Sequence, residues 1–404
     1  MSTKKINNIF SSFFDSYNNK LIYTPGPTMV PSEVLQEMSK QIINPDLDPD
    51  FPDWLLETCK KVGQIINTEN EVLILPGEGM LALDAAINSI VKPKEKVIVL
   101  ASGIFGHGFA NMVKDCKAEP ILIATDRYDE IVTADMVEKA LDENPDVSAI
   151  TVVHCETPSG TLNPLEEIGK ICQKKSNAIL IADTVSSVAG AELKVDEWGV
   201  DIALGASQKC FSAPPGIAFL SLSEKARKKI ENRKSIPSFY SDLSIWTNSW
   251  LKNRTLPYTH SISSLVAFRK SIDLYLQEGH TAVLKRHKVI SDALINAIES
   301  LGLELFPKKK EYCSPTVTAL KTPQNISDEK LRLLLWKKYG VLIAGAWGPV
   351  LGGKVLRLGN MGYGANPHFT LIALNALEKA LNDLGYPIKT QEASQIFLES
   401  LEER

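Results

Sequence analysis

The sequence predicts an α/β fold in which helices cover both faces of a mostly parallel sheet. Between about residues 70 and 222, seven short apolar runs alternate with helical patterns, and Gly, Pro or Asp flanks most of the runs. Runs that are apolar throughout are typical of strands buried on both faces of a sheet. We predict the seven strands at Val72–Leu75, Lys96–Leu100, Pro120–Ile123, Ala149–Val153, Ile179–Ala182, Ile202–Leu204 and Ile217–Leu220.

The rest of the chain divides into an N-terminal arm and a second domain. We predict an arm over residues 1–22, a large domain over 23–285 and a smaller α+β domain over 286–404. A long helical pattern from Ser263 to Ser300 bridges the two domains, and the arm is expected to be mobile or docked on a partner subunit. The predicted C-terminal elements are strands Thr316–Leu320, Val341–Ala344 and Lys354–Leu358 and helices Asp328–Tyr339 and His368–Leu384.

Composition and charge exclude several classes of function. The 404 residues carry a net charge of −4, which gives no reason to expect a nucleic acid or an anionic membrane as partner. Six cysteines are scattered without a CxxC pair, so neither a zinc site nor a disulfide framework is predicted. No apolar run reaches the ~20 residues of a membrane span, and the N-terminus lacks the pattern of a signal peptide. We therefore expect a cytoplasmic protein without a metal ion.

The candidate chemistry lies just beyond the predicted strands, because open α/β sheets bind ligands at the carboxyl ends of their strands. Five of the strands are followed by PGEGM, ASGIFGHG, HCETPSGT, Asp183 and GASQKCFSAPPG, in chain order. These strand ends supply a Gly-rich turn, an aromatic ring, a hydroxyl, a carboxylate and a lysine. Such a set fits a coenzyme that carries an aldehyde on a pyridine ring.

Three of these side chains have a definable role toward such a ring. Lys209 could form a Schiff base if burial or a nearby cation lowers its pKa. Asp183 could keep the pyridine nitrogen protonated, and Phe105 could cover the ring face. Each also has a simpler interpretation: lone lysines are usually solvated, an Asp after a strand is often a helix cap, and a Phe there usually belongs to the core. Their common position at strand ends favours the coenzyme site.

The sequence resembles a known family, the class V aminotransferases of fold type I. The resemblance rests on TPGPT near Thr24 and on SGIFG, ETPSGTLNPLEEIG, IADTVSSVAG, SQKCFSAPPG and VLRLGNMG, and it covers nearly the whole chain beyond the first ~20 residues. It implies a transaminase that uses a pyridoxal-type coenzyme and moves amino groups between small amino acids and 2-oxo acids. It also implies that the seven-stranded sheet forms the coenzyme-binding domain.

The resemblance implies a role for individual residues. Lys209 would form the Schiff base and move the substrate's α-proton, Asp183 would pair with the ring nitrogen, and Phe105 would stack on the ring. Arg357 would hold the substrate carboxylate through a bidentate fork. Thr259 would reach into the neighbouring subunit's site, which implies a homodimer or a dimer of dimers. The other predicted coenzyme-binding residues are Glu78, Gly79, Met80, Thr157, Val185 and Gln208.

One turn departs from the usual family pattern. Most relatives have Ser or Thr, which holds the coenzyme phosphate, at the position of Glu78, and a tyrosine at the position of Leu256. A carboxylate facing a phosphate dianion is repulsive, at about 4 kcal/mol per unit pair 4 Å apart and an effective dielectric of 20. The pyridoxamine–pyruvate transaminases within the family carry a Glu in this turn and use unphosphorylated pyridoxamine. The alternative is that Glu78 turns outward as a first-turn helix acid.

The predicted reaction is therefore pyridoxamine plus pyruvate to pyridoxal plus L-alanine. The alternative is a pyridoxal-phosphate-dependent alanine or serine aminotransferase with glyoxylate or pyruvate as acceptor. Trp347 aligns with a second arginine of the pyridoxamine–pyruvate transaminases, so substrate handling is expected to differ there. Two rivals from other classes are a cysteine desulfurase-like lyase that uses Cys210 and a coenzyme-binding regulator, for which the sequence offers no DNA-binding module.

Overall fold

The computed structural model describes residues 20–389 and 392–402 of the chain. Numbered in chain order, the strands are β1 (Leu21–Ile22), β2 (Glu71–Pro76), β3 (Lys96–Ala101), β4 (Glu119–Ala124), β5 (Ala149–Val153), β6 (Cys155–Glu156), β7 (Thr161–Leu162), β8 (Ile179–Asp183), β9 (Ile202–Ala206), β10 (Ile217–Leu222), β11 (Thr318–Lys321), β12 (Val341–Leu342), β13 (Ala344–Gly345) and β14 (Val355–Leu358). The α-helices are α1 (Ser32–Glu37), α2 (Phe51–Ile66), α3 (Gly79–Ile90), α4 (Ile104–Asp115), α5 (Ala134–Glu143), α6 (Leu165–Lys175), α7 (Glu224–Glu231), α8 (Leu243–Trp246), α9 (Ile262–Glu278), α10 (His280–Ser300), α11 (Asp328–Lys338), α12 (Gly348–Leu351), α13 (Pro367–Asp383) and α14 (Ala393–Glu402). A π-helical stretch, Thr247–Lys252, follows α8, and Lys310–Tyr312 and Gly362–Gly364 are short 3₁₀ helices.

The central sheet has seven strands in the order β2-β10-β9-β8-β5-β3-β4. Strand β10 runs antiparallel to both of its neighbours, and the other pairs are parallel. The predicted fold class is confirmed, and each predicted run lies in its own strand with ends that differ by at most two residues. The inner strands are buried along their length, whereas the edge strand β4 is only half-buried, since it has a neighbour on one side.

Two apolar cores form around different elements. The larger core surrounds the seven-stranded sheet and includes Leu55 and Val62 of the amphipathic helix α2, which packs on β2. The second core forms around the antiparallel sheet β11-β14-β13 and includes Leu21, Tyr23 and residues from Ile290 of α10 onward. The division of the chain at residue 285 stays a prediction.

The described C-terminal part contains two α-helices that were not predicted from the sequence, the four-residue α12 and the ten-residue α14. Helix α14 packs against α10 and buries Phe397 in the second core. The predicted helical stretch from 263 to 300 is two helices, because Gly279 breaks it with a φ of +92°, a backbone conformation that glycine adopts readily. None of the helices within the described ranges is both long and apolar enough to span a membrane.

The segment before α1 belongs to the second core rather than to the central sheet. Strand β1 pairs in parallel with β12, and the Gly359 N–H donates to the Tyr23 carbonyl at 2.9 Å. The fully buried Tyr23 hydroxyl hydrogen-bonds with Thr370 on α13 at 2.7 Å. The predicted arm up to residue 19 lies outside the described ranges. The described end of the arm, residues 20–22, therefore lies in the second core. The loop that follows it leads the chain to the edge of the central sheet.

Candidate active site

The predicted site residues converge at the carboxyl ends of the central strands. A cavity of about 170 Å³ opens there between the loops that follow β2, β3, β5, β8 and β9. Nine of the eleven predicted residues line it: Glu78, Gly79, Met80, Phe105, Thr157, Asp183, Val185, Gln208 and Lys209. Arg357 and Thr259 do not line this cavity, and Gly26, Pro27, Leu83 and Ser186 line it although the sequence did not single them out.

Lys209 lies in the turn after β9, with its amine directed at the loop that precedes α1. Its Nζ donates to the Pro25 carbonyl at 2.6 Å. Burial, and second the positive charge of Arg357, lower the pKa of the Lys209 amine to about 8. A substantial neutral fraction is thus present close to neutral pH, which is what attack on an aldehyde requires.

The loop opposite Lys209 fits around the amine closely. Thr28 holds this loop to the lysine turn, because its N–H and its hydroxyl donate to the carbonyls of Gln208 and Lys209 at 3.1 and 3.0 Å. A Cβ on Gly26 would lie 2.6 Å from the Lys209 Nζ, and Gly26 has a φ of +101°. Only glycine therefore suits this position. The TPGPT motif was the sequence signal for it.

Asp183 ends β8 and is almost fully buried. Its Oδ1 accepts a hydrogen bond from the Val185 N–H at 2.9 Å. Burial raises the pKa of the Asp183 carboxyl to about 6, and the Val185 hydrogen bond and the charge of Lys209 offset part of this effect. A cation placed against a buried carboxylate whose pKa is raised in this way stabilises its charged form. A protonated pyridine nitrogen is such a cation.

Phe105 is fixed by a carboxylate that the sequence analysis did not assign. The fully buried Glu156 accepts hydrogen bonds from the N–H groups of Phe105 and Gly106 at 3.1 and 2.6 Å, at the start of α4. Burial raises the pKa of the Glu156 carboxyl to about 7. Glu156 thus connects the first turn of α4 to the strand end that carries Thr157, whose hydroxyl hydrogen-bonds with Ser186. The ETPSG motif contained this residue, but nothing in its spacing indicated a contact with α4.

Glu78 is the N-cap of α3 and accepts a hydrogen bond from the Met80 N–H at 3.1 Å through Oε2. Glu78 is exposed and also lines the cavity. Gly79 follows it where a Cβ would lie 3.0 Å from the Val185 side chain. The positive end of α3 at this cavity therefore carries the chain's own carboxylate.

Arg357 lies on β14, behind Thr157, and is almost fully buried. Its Nη1 donates to the Thr157 carbonyl at 3.3 Å, and its Nε and Nη2 donate to the Gly345 carbonyl at 3.1 and 2.5 Å. Thr259 is exposed and follows Tyr258 on the surface. Cys210 is buried, its pKa is raised to about 12 by burial, and it does not line the cavity, which disfavours the desulfurase-like rival.

The family model of the class V aminotransferases matches residues 21–350 of this chain. The chain is a class V aminotransferase. It is 38% identical to an uncharacterized aminotransferase of Methanocaldococcus jannaschii, over 92% of this chain and 94% of that protein. It is 34% identical to the pyridoxamine–pyruvate transaminase of Mesorhizobium japonicum, over 90% of this chain and 91% of that protein.

Solved structures agree with this membership. The crystal structure of pyridoxamine–pyruvate aminotransferase from Mesorhizobium loti matches with a TM-score of 0.90 and 31% identity, covering 95% of this chain and 97% of that chain. The predicted fold-type I architecture, transaminase class and pyridoxal-type coenzyme are thereby confirmed. This aminotransferase acts on small-molecule substrates, as its family does.

The residues of the cavity fit such a coenzyme. Lys209 supplies a partly neutral amine, Asp183 a buried carboxylate that forms no ion pair among the described residues, and Phe105 an aromatic ring at the cavity wall. When bound, the pyridine ring of the coenzyme draws electrons from the carbon that loses its proton. The protein supplies the remaining chemistry through these side chains.

Proposed function

We propose that this aminotransferase transfers the amino group of free pyridoxamine to pyruvate, which yields pyridoxal and L-alanine. Amine and oxo groups exchange, so the reaction needs no further reactant. The single observation that carries the proposal is the carboxylate of Glu78 at the N-terminus of α3. A phosphorylated coenzyme with an alanine or serine donor and a glyoxylate or pyruvate acceptor is the reaction against which the proposal is tested.

The position of Glu78 disfavours a phosphate and favours a hydroxyl. A helix N-terminus binds a phosphate through its free N–H groups and its partial positive charge. In this protein Glu78 accepts the Met80 N–H and places a negative charge at that end of the cavity. A phosphate dianion would be repelled, whereas the hydroxyl of unphosphorylated pyridoxamine could donate to the carboxylate. The 34% identical relative from Mesorhizobium japonicum supports this choice of substrate.

The proposed division of labour follows from the site geometry. Lys209 accepts the proton that the substrate carbon loses and returns it at the other carbon, which its pKa of about 8 permits. Asp183 would keep the ring nitrogen protonated, and Phe105 and Val185 would enclose the ring. Thr157, Gly79, Met80 and Gln208 line the same cavity. Arg357 orients the substrate carboxylate.

We also propose that the active unit is a homodimer, alone or paired into a tetramer, and that Thr259 completes the partner's site. Thr259 is exposed and does not contribute to the cavity of its own chain. Phe239 and Tyr240 are 74% and 49% exposed, and the Tyr240 ring stacks on Tyr258, next to Thr259 in the chain; Met80 at the cavity is 43% exposed. Large exposed apolar side chains of this kind are typical of subunit interfaces. The free cysteines of the described residues fit the proposed cytoplasmic location.

The proposed reaction is tested by turnover of the stripped protein. We expect pyridoxamine plus pyruvate to yield pyridoxal and L-alanine faster than L-alanine plus glyoxylate react when pyridoxal phosphate is supplied. The variant Glu78→Ser should bind pyridoxal phosphate about 10- to 100-fold more tightly than the unchanged protein, because a charge repulsion is replaced by a hydroxyl donor. Dissociation constants follow from absorbance titrations with pyridoxal and with pyridoxal phosphate.

The matched control is Glu78→Gln, which keeps the length of the side chain and removes its charge. It should relieve the repulsion without supplying the hydroxyl, so that its affinity for pyridoxal phosphate falls between those of the other two proteins. A phosphorylated coenzyme that stays bound through purification of the unchanged protein would contradict the proposal. So would equal affinity of all three proteins for pyridoxal phosphate.

A further inference from the structure

Trp347 lies between Phe105, which lines the cavity, and Arg357, the proposed carboxylate-binding residue. The face of its ring lies 5.1 Å from the Arg357 guanidinium carbon, measured at the ring centroid. The same ring meets Phe105 edge-on, with centroids 5.9 Å apart and planes at 79°. Trp347 is still 46% exposed, so nearly half of its surface is open. An exposed tryptophan held in place on two sides is available to contact a ligand.

The Arg357 guanidinium beside Trp347 has N–H donors that make no hydrogen bond among the described residues. An arginine has five N–H donors, and the bonds to Gly345 and Thr157 use three of them. One N–H on each terminal nitrogen is left over, which is the pair that binds a carboxylate in a bidentate way. No carboxylate among the described residues forms an ion pair with Arg357. One anionic group of a substrate can be accommodated there.

Among the described residues, Arg357 is the only cation that lies over the Trp347 ring. Ile104, Ala346 and Leu351 form a small apolar cluster with Val355 on this side of the site. The nearest other guanidinium, that of Arg332, is committed to Asp328, with Nη2 and Oδ2 3.0 Å apart, behind Gly345. Apart from Arg357, the side chains named around the Trp347 ring are therefore aromatic and aliphatic.

We infer that Trp347 is a specificity-determining residue that makes the site select small 2-oxo acids with one carboxylate and an apolar side chain. Its ring holds the Arg357 plane on one side and leaves an apolar surface for the substrate side chain on the other. A second carboxylate would lose its water against this surface without gaining a partner, which is a strong basis for rejection. The inference rests on the proposed function only in taking Arg357 as the carboxylate-binding residue.

The test compares acceptors on the whole enzyme loaded with pyridoxamine. With the unchanged protein, we expect kcat/KM for pyruvate and 2-oxobutyrate to exceed that for oxaloacetate by at least about 100-fold. The variant Trp347→Arg adds a cation and should raise the ratio of oxaloacetate to pyruvate at least about tenfold. Trp347→Ala should raise the KM for pyruvate about tenfold with a smaller change in kcat, whereas Trp347→Phe should keep most of the preference.

The control is Val350→Ala, which changes an exposed side chain of α12, the short helix that follows Trp347. This variant should leave the acceptor preference unaltered. An unchanged ratio of oxaloacetate to pyruvate in both Trp347→Arg and Trp347→Ala would overturn the inference. Loading the protein with pyridoxamine phosphate separates this outcome from a failure of the proposed function. If only the phosphorylated form reacts, the proposed amino donor is wrong, and the ranking of acceptors still tests Trp347.

Discussion

Replacement of Lys209 by arginine is expected to lower turnover by at least about 10⁴-fold, because arginine keeps the charge and loses the ability to become a neutral amine. In the unchanged protein, burial brings the pKa of the Lys209 amine to about 8. The rate at which coenzyme-free protein captures pyridoxal should accordingly rise with pH and level off above about pH 8.

Borohydride trapping followed by peptide mapping measures the capture directly. The pyridoxyl label should appear on Lys209 in the unchanged protein and disappear in Lys209→Arg. Lys60→Arg, at an exposed lysine of α2, serves as the control and should retain both the label and full turnover. A label on another lysine, or full turnover of Lys209→Arg, would remove the basis of the proposed mechanism.

Replacement of Asp183 by asparagine is expected to abolish most activity and to stabilise the coenzyme-free protein. The activity loss, at least about 10²-fold, follows from the missing charge against the ring nitrogen. The gain in stability follows from burial, which raises the pKa of Asp183 from 3.8 to about 6. Since one pH unit corresponds to about 1.4 kcal/mol, the ionised carboxylate costs about 3 kcal/mol of folding free energy above pH 6.

Because burial raises the pKa of Asp183 in the folded state, the predicted difference in stability depends on pH. Between pH 3.8 and about 6 the folded state binds more protons than the unfolded state, so its stability falls as pH rises. At pH 8, Asp183→Asn should therefore be more stable than the unchanged protein by about 2 to 3 kcal/mol in urea unfolding, whereas at pH 4 the two should unfold alike. Asparagine can still accept the Val185 N–H. A loss of stability at pH 8 would contradict the assigned burial cost.

The sequence was sufficient for the fold and for most of the cavity. Strands that are buried on both faces must be apolar along their length, and this one property located all seven of them. Because parallel strands end at one edge of the sheet, the order of the motifs along the chain was enough to bring Asp183, Phe105 and Lys209 together. The end of α9 at Gly279 could also have been predicted, because glycine readily adopts the positive φ found there.

Contacts between distant segments escaped prediction. Glu156 binds the first turn of α4 across 50 residues, and Gly26 leaves room for an amine 183 residues further along the chain. Neither relation has a periodicity that could show it. The contacts of Trp347 with Phe105 and Arg357 could not be predicted either, because they depend on how the β13–β14 sheet packs behind Thr157.

Strand β1 has a bearing on how the protein is made. Its partner β12 lies 320 residues further along the chain, from Leu21 to Val341, so β1 leaves the ribosome long before β12 does. The loop that places Pro25 and Gly26 against Lys209 follows β1 directly and stays unanchored on that side until β12 exists. A nascent chain can assemble its central sheet before β12 is synthesised, but its reactive amine acquires its final surroundings only after β12 has left the ribosome.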